Sequence, residues 1–206
     1  MGDRVKIAAI VGSYRKGGVV DQVVDEIIAS AEGEGAEASK LYLLDTQIEF
    51  CTNCRLCTQV AGSARGICPI ADQMARVLDL IEGADAVVLG SPVNFGSVTA
   101  LMKRFVERLV CYAYWPWGMA APKPRCQEKP RRAVLVASSA APAILARFMT
   151  PITKTLKQTA GLLGARTIGV VFVGLAAREQ CQDPGERVRA KARLLGKKLA
   201  TGGKAG

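Results

Sequence analysis

Apolar residues follow two different spacings along the chain, and the two spacings alternate. Short continuous apolar runs bounded by glycine or polar residues are typical of strands buried in a parallel sheet. Apolar residues three or four positions apart are typical of helices with one buried face. The runs predict strands over 5–11, 39–44, 86–90, 133–137 and 167–173, and the wider spacing predicts helices over 20–31, 70–81, 98–109, 144–163 and 186–199.

Strand–helix alternation of this kind predicts an α/β fold in which helices cover both faces of a doubly wound parallel sheet. Five strands within 206 residues suit a single domain, residues 1–206, with the flavodoxin-like strand order 2-1-3-4-5. In that order the first and third strands are neighbours, and ligands bind at the carboxyl ends of the strands. We therefore expect a ligand between the loops that follow Val11, Gly90 and Ala137.

Composition restricts where the protein works. Half of the residues are hydrophobic and 22% are charged, which is typical of a globular protein. No apolar run reaches the length of a membrane span. Met1 is followed almost directly by a strand-like run, without the cleavage pattern of a signal peptide. We expect a cytoplasmic protein that has no membrane partner.

The chain contains no histidine. This excludes a histidine triad, a histidine general base and most catalytic zinc sites. Any catalysis must therefore use other side chains or a cofactor. A flavin fits this composition, because its hydride chemistry belongs to the cofactor itself.

The formal net charge is +10, and part of it lies in the last predicted helix. Such a helix can bind nucleic acid, a membrane surface or an acidic redox partner, although a solvated helix face is the commoner explanation. No sequence signature of a nucleic-acid-binding module is present, so we expect no nucleic-acid partner. The basic residues concerned are Arg187, Arg189, Lys191, Arg193, Lys197, Lys198 and Lys204.

The loop after the first predicted strand has the composition of a phosphate-binding loop. Phosphate is bound by N–H groups at a helix N-terminus, by hydroxyl groups and by a fixed positive charge. Ser13 supplies a hydroxyl, Arg15 supplies a planar cation, and Gly17 and Gly18 allow the backbone to come close. The loop matches neither a Walker A motif nor G-x-G-x-x-G. An ordinary glycine-rich turn is the alternative.

The loop after the third predicted strand, residues 90–98, combines proline, glycine, an amide and an aromatic residue. Its backbone could line a flat ring and hydrogen-bond the ring's heteroatoms. Proline and glycine are also common in ordinary turns, so this loop on its own favours a ring-binding site only weakly.

Together the two loops resemble those of the NAD(P)H-dependent flavin reductase branch of the flavodoxin superfamily. That family has Gly-Ser-x-Arg-Lys-x-Gly after the first strand and Gly-Ser-Pro-Val-Tyr-Phe-Gly after the third. It then has a helix carrying Leu-Met-Lys-Arg-Phe, which stands here at residues 101–105. The resemblance implies a flavodoxin-like fold, bound FMN, and NAD(P)H as the electron donor.

The resemblance also implies which residues bind FMN. This chain departs from the family at two positions, because it has Val19-Val20 in place of the usual Asn-Thr and Asn94 in place of Tyr. A phosphate-binding hydroxyl is thereby missing, and the surroundings of the ring differ. The implied residues are Ser13, Arg15, Gly17, Gly18 and Val19 for the phosphate, Pro92, Val93, Asn94, Phe95 and Gly96 for the ring, and Ser138, in the loop 138–142, for the ring's other side.

A cysteine-rich loop at residues 51–68 follows the second predicted strand. Cys51, Cys54, Cys57 and Cys68 give the spacing C-x2-C-x2-C-x10-C-P, and three thiols so close together can face one metal centre. The loop resembles that of iron–sulfur flavoproteins, whose last gap is usually shorter. Many flavin reductases of the family carry similar cysteines with no established cluster. A [4Fe–4S] cluster, a zinc ion and no metal are therefore the three alternatives.

The remaining cysteines and the two tryptophans predict packing roles. Cys111, Cys126 and Cys181 are isolated in the sequence, and we expect them to be small buried hydrophobic residues. The segment Trp115-Pro116-Trp117 either forms the wall of a substrate pocket or a dimer contact, or packs on its own domain.

Three functions fit these features. The first is an FMN-dependent NAD(P)H oxidoreductase that reduces a small-molecule electron acceptor. The second is a non-enzymatic carrier of electrons between redox partner proteins, but such carriers tend to be acidic and this chain is basic. The third is a redox sensor that responds through the cysteine-rich loop. We also expect a homo-oligomer.

Overall fold

A computed structural model describes residues 4–125 and 128–201 of the chain. Its strands are β1 (Lys6–Val11), β2 (Glu37–Tyr42), β3 (Ala86–Pro92), β4 (Ala113–Tyr114), β5 (Lys123–Pro124), β6 (Arg131–Ser138) and β7 (Ala165–Val173). Five of them form a parallel sheet in the order β2-β1-β3-β6-β7, and β4 pairs with β5 in a small antiparallel sheet. Counted along the chain, the large sheet has the predicted order 2-1-3-4-5, so the flavodoxin-like fold is confirmed.

Helices cover both faces of this sheet. Successive residues of a strand point to opposite faces, so Ile7 and Ala9 of β1 belong to one core and Ala8 and Ile10 to the other. The first core is completed by α1 and α6, and the second by α2, α3 and α5. The helices are α1 (Val19–Glu32), α2 (Met74–Glu82), α3 (Ala100–Arg108), α4 (Ala143–Met149), α5 (Ile152–Leu162) and α6 (Glu186–Thr201).

The single helix predicted over 144–163 is wrong, because the structure has two helices there. Thr150 ends α4 in an extended conformation, with φ −122° and ψ 141°. Pro151 follows it, and proline both lacks a backbone N–H and disfavours a helical conformation in the preceding residue. The apolar spacing continues across this break, which is why periodicity alone missed it.

Helix α2 begins at Met74 rather than at residue 70 as predicted. Asp72 Oδ1 accepts a hydrogen bond from the Met74 N–H at 2.9 Å, so a side chain satisfies one of the free donors of the helix start. The second strand is also displaced, since β2 covers Glu37–Tyr42 rather than 39–44. Within the described ranges, no helix combines the length and the apolar character that crossing a membrane requires.

Part of the basic segment predicted to be a solvated helix face forms ion pairs from α6 to α1 and to the turn that follows α1. Glu26 of α1 accepts hydrogen bonds from Arg189 (3.0 Å) and Arg193 (2.7 Å), and Lys197 lies 3.1 Å from Glu34. The ion pairs fix α6 against the helix that follows the first loop. Lys204 lies outside the described residues.

Candidate functional site

A cleft of about 300 Å³ opens at the carboxyl ends of the parallel strands. Loops that follow β1, β3, β6 and β7 form its walls, so the cleft lies where the strand order predicts a ligand site. Its volume is in the range of small-molecule sites. Of the residues predicted to bind FMN, those that line the cleft are Ser13, Arg15, Gly18, Val19, Pro92, Val93, Asn94 and Ser138.

The loop after β1 is held in a compact turn by its own polar groups. The Ser13 hydroxyl accepts a hydrogen bond from the Arg15 N–H (3.1 Å) and donates to the Arg15 carbonyl (3.2 Å). The Gly17 N–H donates to Asp21 Oδ2 at 2.6 Å, with Gly17 at φ +73°. Helix α1 begins directly after Gly18, so the free N–H groups of its first turn lie at the cleft.

Asp21, which the sequence analysis did not single out, is buried next to this loop at 2% exposure. Besides the Gly17 N–H, it accepts a hydrogen bond from the Tyr42 hydroxyl (3.2 Å), and Lys40 Nζ lies 2.5 Å from its Oδ1. Burial on its own lowers the pKa of Lys40, but hydrogen bonds to Asp21 and Asp25 outweigh it and raise that pKa above its usual range. The charged Lys40 therefore offsets Asp21, and the start of α1 keeps its positive potential. An acid three positions after the glycine that precedes a helix is a capping signal, which could have identified Asp21.

Thr99 joins the loop after β1 to the loop after β3. Its buried hydroxyl donates to the Gly12 carbonyl at 2.6 Å and accepts from the Met102 N–H at 3.1 Å, which caps α3. The Thr99 N–H in turn donates to the Ser91 hydroxyl at 3.2 Å. At Gly12 an added Cβ would lie 2.8 Å from Met102 Cβ, so only glycine fits where this helix meets the strand end.

The second half of the loop after β3 is a tight turn that leaves the cleft. Asn94 and Ser97 exchange backbone hydrogen bonds of 2.8 and 3.0 Å. The two residues between them, Phe95 and Gly96, have φ angles of +45° and +75°, as in a type I′ turn. The Phe95 side chain is fully exposed. Three residues that were predicted to bind FMN are absent from the cleft walls in the described part of the chain. They are Gly17, Phe95 and Gly96.

The loop after β7 supplies a fourth wall that the sequence analysis missed. It is joined to the loop after β6 because the Ala176 N–H donates to the Ser139 carbonyl (2.9 Å) and the Leu175 N–H to the Ala141 carbonyl (3.1 Å). The fifth predicted strand ends at the same edge of the sheet as the others, so strand order alone could have suggested this wall. Its lining residues are Ala176, Ala177, Glu179, Gln180 and Gln182.

The isolated cysteines do not all behave as predicted. Cys111 is 1% exposed, as expected of a small buried residue, and burial raises its pKa to about 12. Cys181 is exposed, between two residues that line the cleft, so the prediction of a buried Cys181 is wrong. Cys126 lies outside the described residues.

The cysteine-rich loop folds around a second, nearly closed cavity of about 10 Å³, here called the cysteine pocket. All four cysteines of the predicted cluster motif contribute to its wall, although ten residues separate the last two. Cys57 is buried, Cys54 is exposed, and Cys51 and Cys68 are partly exposed. The lining residues are Cys51, Thr52, Asn53, Cys54, Arg55, Cys57, Cys68, Ile70, Arg108 and Val110.

The thiols of this pocket have different acidities. Burial raises the pKa of Cys57, and the neighbouring cysteines add to this effect. Hydrogen bonds from the Leu56 N–H and the Thr52 side chain lower the pKa of Cys54. Over residues 4–125 and 128–201, no three or more His, Cys, Asp or Glu side chains are arranged to hold a metal ion. The thiols therefore share a cavity without standing in ligand geometry.

Arg55 fastens the cysteine-rich loop to the two tryptophans. Its guanidinium lies between the indole rings of Trp115 and Trp117, 3.8 and 4.2 Å from their centroids, which is a cation–π arrangement. It also donates to the Trp115 carbonyl at 2.6 Å. Asn53 and Arg55 have φ angles of +54° and +58°, an uncommon conformation for residues other than glycine. The tryptophan segment thus packs on its own chain at this point.

Arg108, at the end of α3, reaches the cysteine pocket from the core side. It forms a buried ion pair with Asp72, donates to the Glu49 carbonyl at 2.8 Å, and lies 3.5 Å from Cys68 Sγ. Burial on its own lowers the pKa of Arg108 and raises that of Asp72, but hydrogen bonds and nearby charges together outweigh it in both cases. Both groups therefore stay charged. An arginine three positions after the buried Phe105 was the available signal.

Two further contacts close the long gap before Cys68. Arg125 donates to the carbonyls of Cys57 (3.0 Å) and Gly62 (3.1 Å). Gly66 crosses so close to Cys57 that an added Cβ would lie 1.7 Å from the Cys57 carbonyl oxygen. The stretch between the third and fourth cysteines is therefore folded back over Cys57.

Fold and cleft define a flavodoxin-like α/β protein with an open cleft at the carboxyl end of its parallel sheet. The family model described as NADPH-dependent FMN reductase matches residues 5–178, so the chain belongs to that family. This confirms the resemblance that the two loop motifs carried.

Curated relatives with similar sequences are iron–sulfur flavoproteins. One from Archaeoglobus fulgidus is 36% identical over 112 residues, which cover 54% of this chain and 49% of the relative. One from Methanocaldococcus jannaschii is 34% identical over 104 residues, covering 50% and 51% of the two chains. The chain thus spans about half the length of the curated relatives it matches.

Solved structures agree on the fold. An NAD(P)H:quinone oxidoreductase from Methanothermobacter marburgensis gives a TM-score of 0.72 at 15% identity, over 96% of this chain and 100% of that one. An FMN-dependent NADH-azoreductase from Bacillus anthracis gives 0.71 at 13% identity, with the same coverage.

Proposed function

We propose that the protein is an FMN-dependent oxidoreductase that takes electrons from NAD(P)H and passes them to a small-molecule acceptor or a redox partner protein. One observation carries the proposal. The Ser13–Arg15 turn and the loop from Pro92 to Asn94, which resemble the two flavin-binding loops of the family, line the same cleft at the carboxyl ends of the strands. The continuous five-stranded sheet supports treating residues 1–206 as a single domain.

The two sides of the cleft suit the two ends of FMN. The first-turn N–H groups of α1, the Ser13 hydroxyl and the Arg15 guanidinium would bind the phosphate. Pro92, Val93 and Asn94 would line one side of the ring and Ser138 the other. Bound between these residues, FMN would supply the redox chemistry, which is hydride acceptance from the nicotinamide and electron release to the acceptor.

Two measurements on the purified protein test this proposal. Titration with FMN should quench the flavin fluorescence to saturation, and NADH or NADPH should then bleach the flavin absorbance under anaerobic conditions. With no histidine to titrate, the rate of this reduction should vary little around neutral pH. Unquenched fluorescence would contradict FMN binding, whereas a steep pH dependence would assign proton transfer to a cysteine or a lysine.

The residues of the cysteine pocket support a [4Fe–4S] cluster by their chemistry and not by their present arrangement, since four thiols and two arginines line one cavity but the thiols do not stand in ligand geometry. The Nε atoms of Arg55 and Arg108 are buried and have no hydrogen-bond partner within the described part of the chain. Their N–H groups could donate hydrogen bonds to the sulfur atoms of a cluster. Cys51, Cys54, Cys57 and Cys68 would be the ligands, and reduced thiols of this kind suit a cytoplasmic location.

Anaerobic purification with iron and acid-labile sulfide analysis tests the cluster. The expected result is about four iron atoms per chain, lost in Cys54→Ser while FMN binding is kept. If the protein contains zinc and no iron, the site is structural. If it contains no metal, the four cysteines are redox-responsive thiols. Steady-state oxidation of NAD(P)H with added FMN or quinone separates an enzyme from a carrier or sensor.

A homo-oligomer is part of the same proposal. Helix α4 follows the cleft loop and exposes large apolar side chains, which on a monomer would form an unusual surface patch. Analytical ultracentrifugation should show more than one chain per particle, and polar substitutions at two of these positions should shift it toward the monomer. The side chains are Ile144, Leu145, Phe148 and Met149.

A further inference from the structure

The ion pair between Arg108 and Asp72 is buried to an unusual degree, with side chains 1% and 2% exposed. Removing two charges from water is costly, and well-packed apolar residues often serve stability equally well at such positions. Asp72 has a local task, because it also accepts hydrogen bonds from the backbone N–H groups of Glu49 (2.7 Å) and Met74 (2.9 Å). Arg108 balances the charge of this carboxylate, but its guanidinium also reaches beyond it toward Cys68 Sγ.

Three donors of Arg108 lie where the cysteine pocket meets the core. Nη1 donates to the Glu49 carbonyl and to Asp72, while Nη2 donates to Asp72 Oδ1 at 3.1 Å and points one N–H toward Cys68 Sγ at 3.5 Å. Nε is buried and has no partner anywhere in the described ranges. A buried donor without an acceptor is uncommon in native proteins, and here it belongs to a residue that lines a cavity of thiols.

We propose that Arg108 sets the reduction potential of the metal centre in the cysteine pocket, by placing a fixed positive charge and N–H donors beside its sulfur atoms. This inference rests on the proposed cluster. One-electron reduction adds one negative charge to a four-thiolate centre, and the electron comes from FMN in the proposed function or from dithionite in the experiment. A nearby cation and hydrogen bonds to sulfur stabilise the more negative state, so they raise the potential.

Asp72 acts in the opposite direction. Its carboxylate holds the guanidinium in place but offsets part of the positive charge that the centre experiences. Loss of the charge at Arg108 should therefore lower the midpoint potential, and loss of the charge at Asp72 should raise it. If the ion pair served only to hold the loop, both substitutions would disturb the pocket in the same way. The midpoint potential would then shift in the same direction in both variants.

The experiment is a potentiometric titration of anaerobically purified protein with dithionite and redox mediators, followed by EPR. The variants are Arg108→Gln, Arg108→Lys and Asp72→Asn, with iron and sulfide content and FMN binding measured for each. Lys103→Gln is the control, since Lys103 lies on the same helix but is exposed and forms an ion pair with Glu107 across 3.7 Å. We expect a lower potential in Arg108→Gln, a smaller decrease in Arg108→Lys, a higher potential in Asp72→Asn and no shift in the control.

Failure takes two distinguishable forms. If the wild-type protein lacks iron and sulfide, the proposed cluster and this inference fall together. If the wild type holds the cluster but the two sides of the ion pair shift the potential in the same direction, or not at all, only the inference is overturned. Should Arg108→Gln not fold, as judged by lost FMN binding, the signs of Arg108→Lys and Asp72→Asn decide the question.

Discussion

The cleft and the cysteine pocket are both built from loops, but different chemical groups hold them in shape. At the cleft, backbone hydrogen bonds join one strand end to the next, and the Thr99 hydroxyl adds one side-chain link. The Gly12 N–H donates to the Gly90 carbonyl (2.8 Å), and the Val93 N–H donates to the Ser138 carbonyl (2.7 Å). The cleft is therefore largely a consequence of the sheet itself.

At the cysteine pocket, hydrogen bonds from side chains, and not the sheet, hold the loops in place. Arg55, Arg108 and Arg125 each donate to backbone carbonyls far away in the sequence. None of these three side chains lines the cleft, so we expect the sheet and the cleft to survive the removal of one of them. The difference leads us to expect that single arginine substitutions disrupt the pocket without loss of the cleft, because backbone hydrogen bonds join the strand ends at the cleft.

The largest effect should come from Gly66→Ala. The added Cβ would meet the Cys57 carbonyl oxygen at 1.7 Å, and relief of a clash with backbone should cost about 3 kcal/mol or more of local stability. In iron-free protein, Cys57 should become open to alkylation, which mass spectrometry detects, while FMN affinity stays unchanged.

The matched control for this substitution is Gly161→Ala. There the nearest atom to the added Cβ is Lys129 Nζ at 3.6 Å, and the residue lies within α5. Cys57 should stay protected in this variant. Equal alkylation of Cys57 in both variants would contradict the close crossing at Gly66.

Next in size is Arg15→Ala, which tests the cleft. Loss of a charge-assisted contact with phosphate, worth about 1.5–3 kcal/mol, should weaken FMN binding roughly ten-fold or more. Fluorescence titration measures the dissociation constant. Lys16→Ala is the control on the same loop, because Lys16 pairs with Asp45 at 2.6 Å instead. If both variants lost FMN affinity equally, Arg15 would contribute only through the overall positive charge of the loop and not through a specific contact with phosphate.

A smaller effect is expected from Arg55→Met. Removing the cation from between Trp115 and Trp117 should lower the free energy of unfolding by about 1–2 kcal/mol, as measured with urea. Arg104→Met is the comparison, since Arg104 lies 5.7 Å from the ring of the exposed Phe50. A similar loss in Arg104→Met would show that the sandwich adds nothing special to the cysteine-rich loop.

The smallest effect concerns acid stability of the scaffold beside the cleft. Arg193 and Arg189 lower the pKa of Glu26 from its usual value of 4.5. The carboxylate therefore contributes stability above that usual value, and the contribution is lost as the pH falls through the lower, folded-state pKa.

Glu26→Gln should accordingly lower Tm by only about 1–2 °C at neutral pH, and the difference from the wild type should vanish in strong acid. Scanning calorimetry from pH 7 to pH 2 measures it. Glu32, on the same helix, makes no ion pair within residues 4–125 and 128–201. The Tm difference between Glu32→Gln and the wild type should therefore not change in this way as the pH falls.

What the sequence could predict follows the same division between the two sites. Apolar spacing predicted the five alternating strands, and the flavodoxin-like order that suits them located the cleft, because strand ends meet at one edge whatever their loops contain. It failed at Thr150–Pro151, where a local backbone effect interrupts an unbroken apolar period. It also missed Arg108 and the tryptophan sandwich around Arg55, since contacts between residues tens of positions apart leave no periodic signal.

Helix α3 has a further consequence for the whole molecule. Its first residues are capped by Thr99, which is bonded to the loop after β1, and its last residue, Arg108, lines the cysteine pocket. One residue inserted between them would advance the helix by about 1.5 Å and turn its end by about 100°, which would carry the guanidinium away from Cys68. The helix therefore fixes both the distance and the rotation between Thr99 and Arg108. We expect α3 to tolerate no insertion, unlike the surface loops.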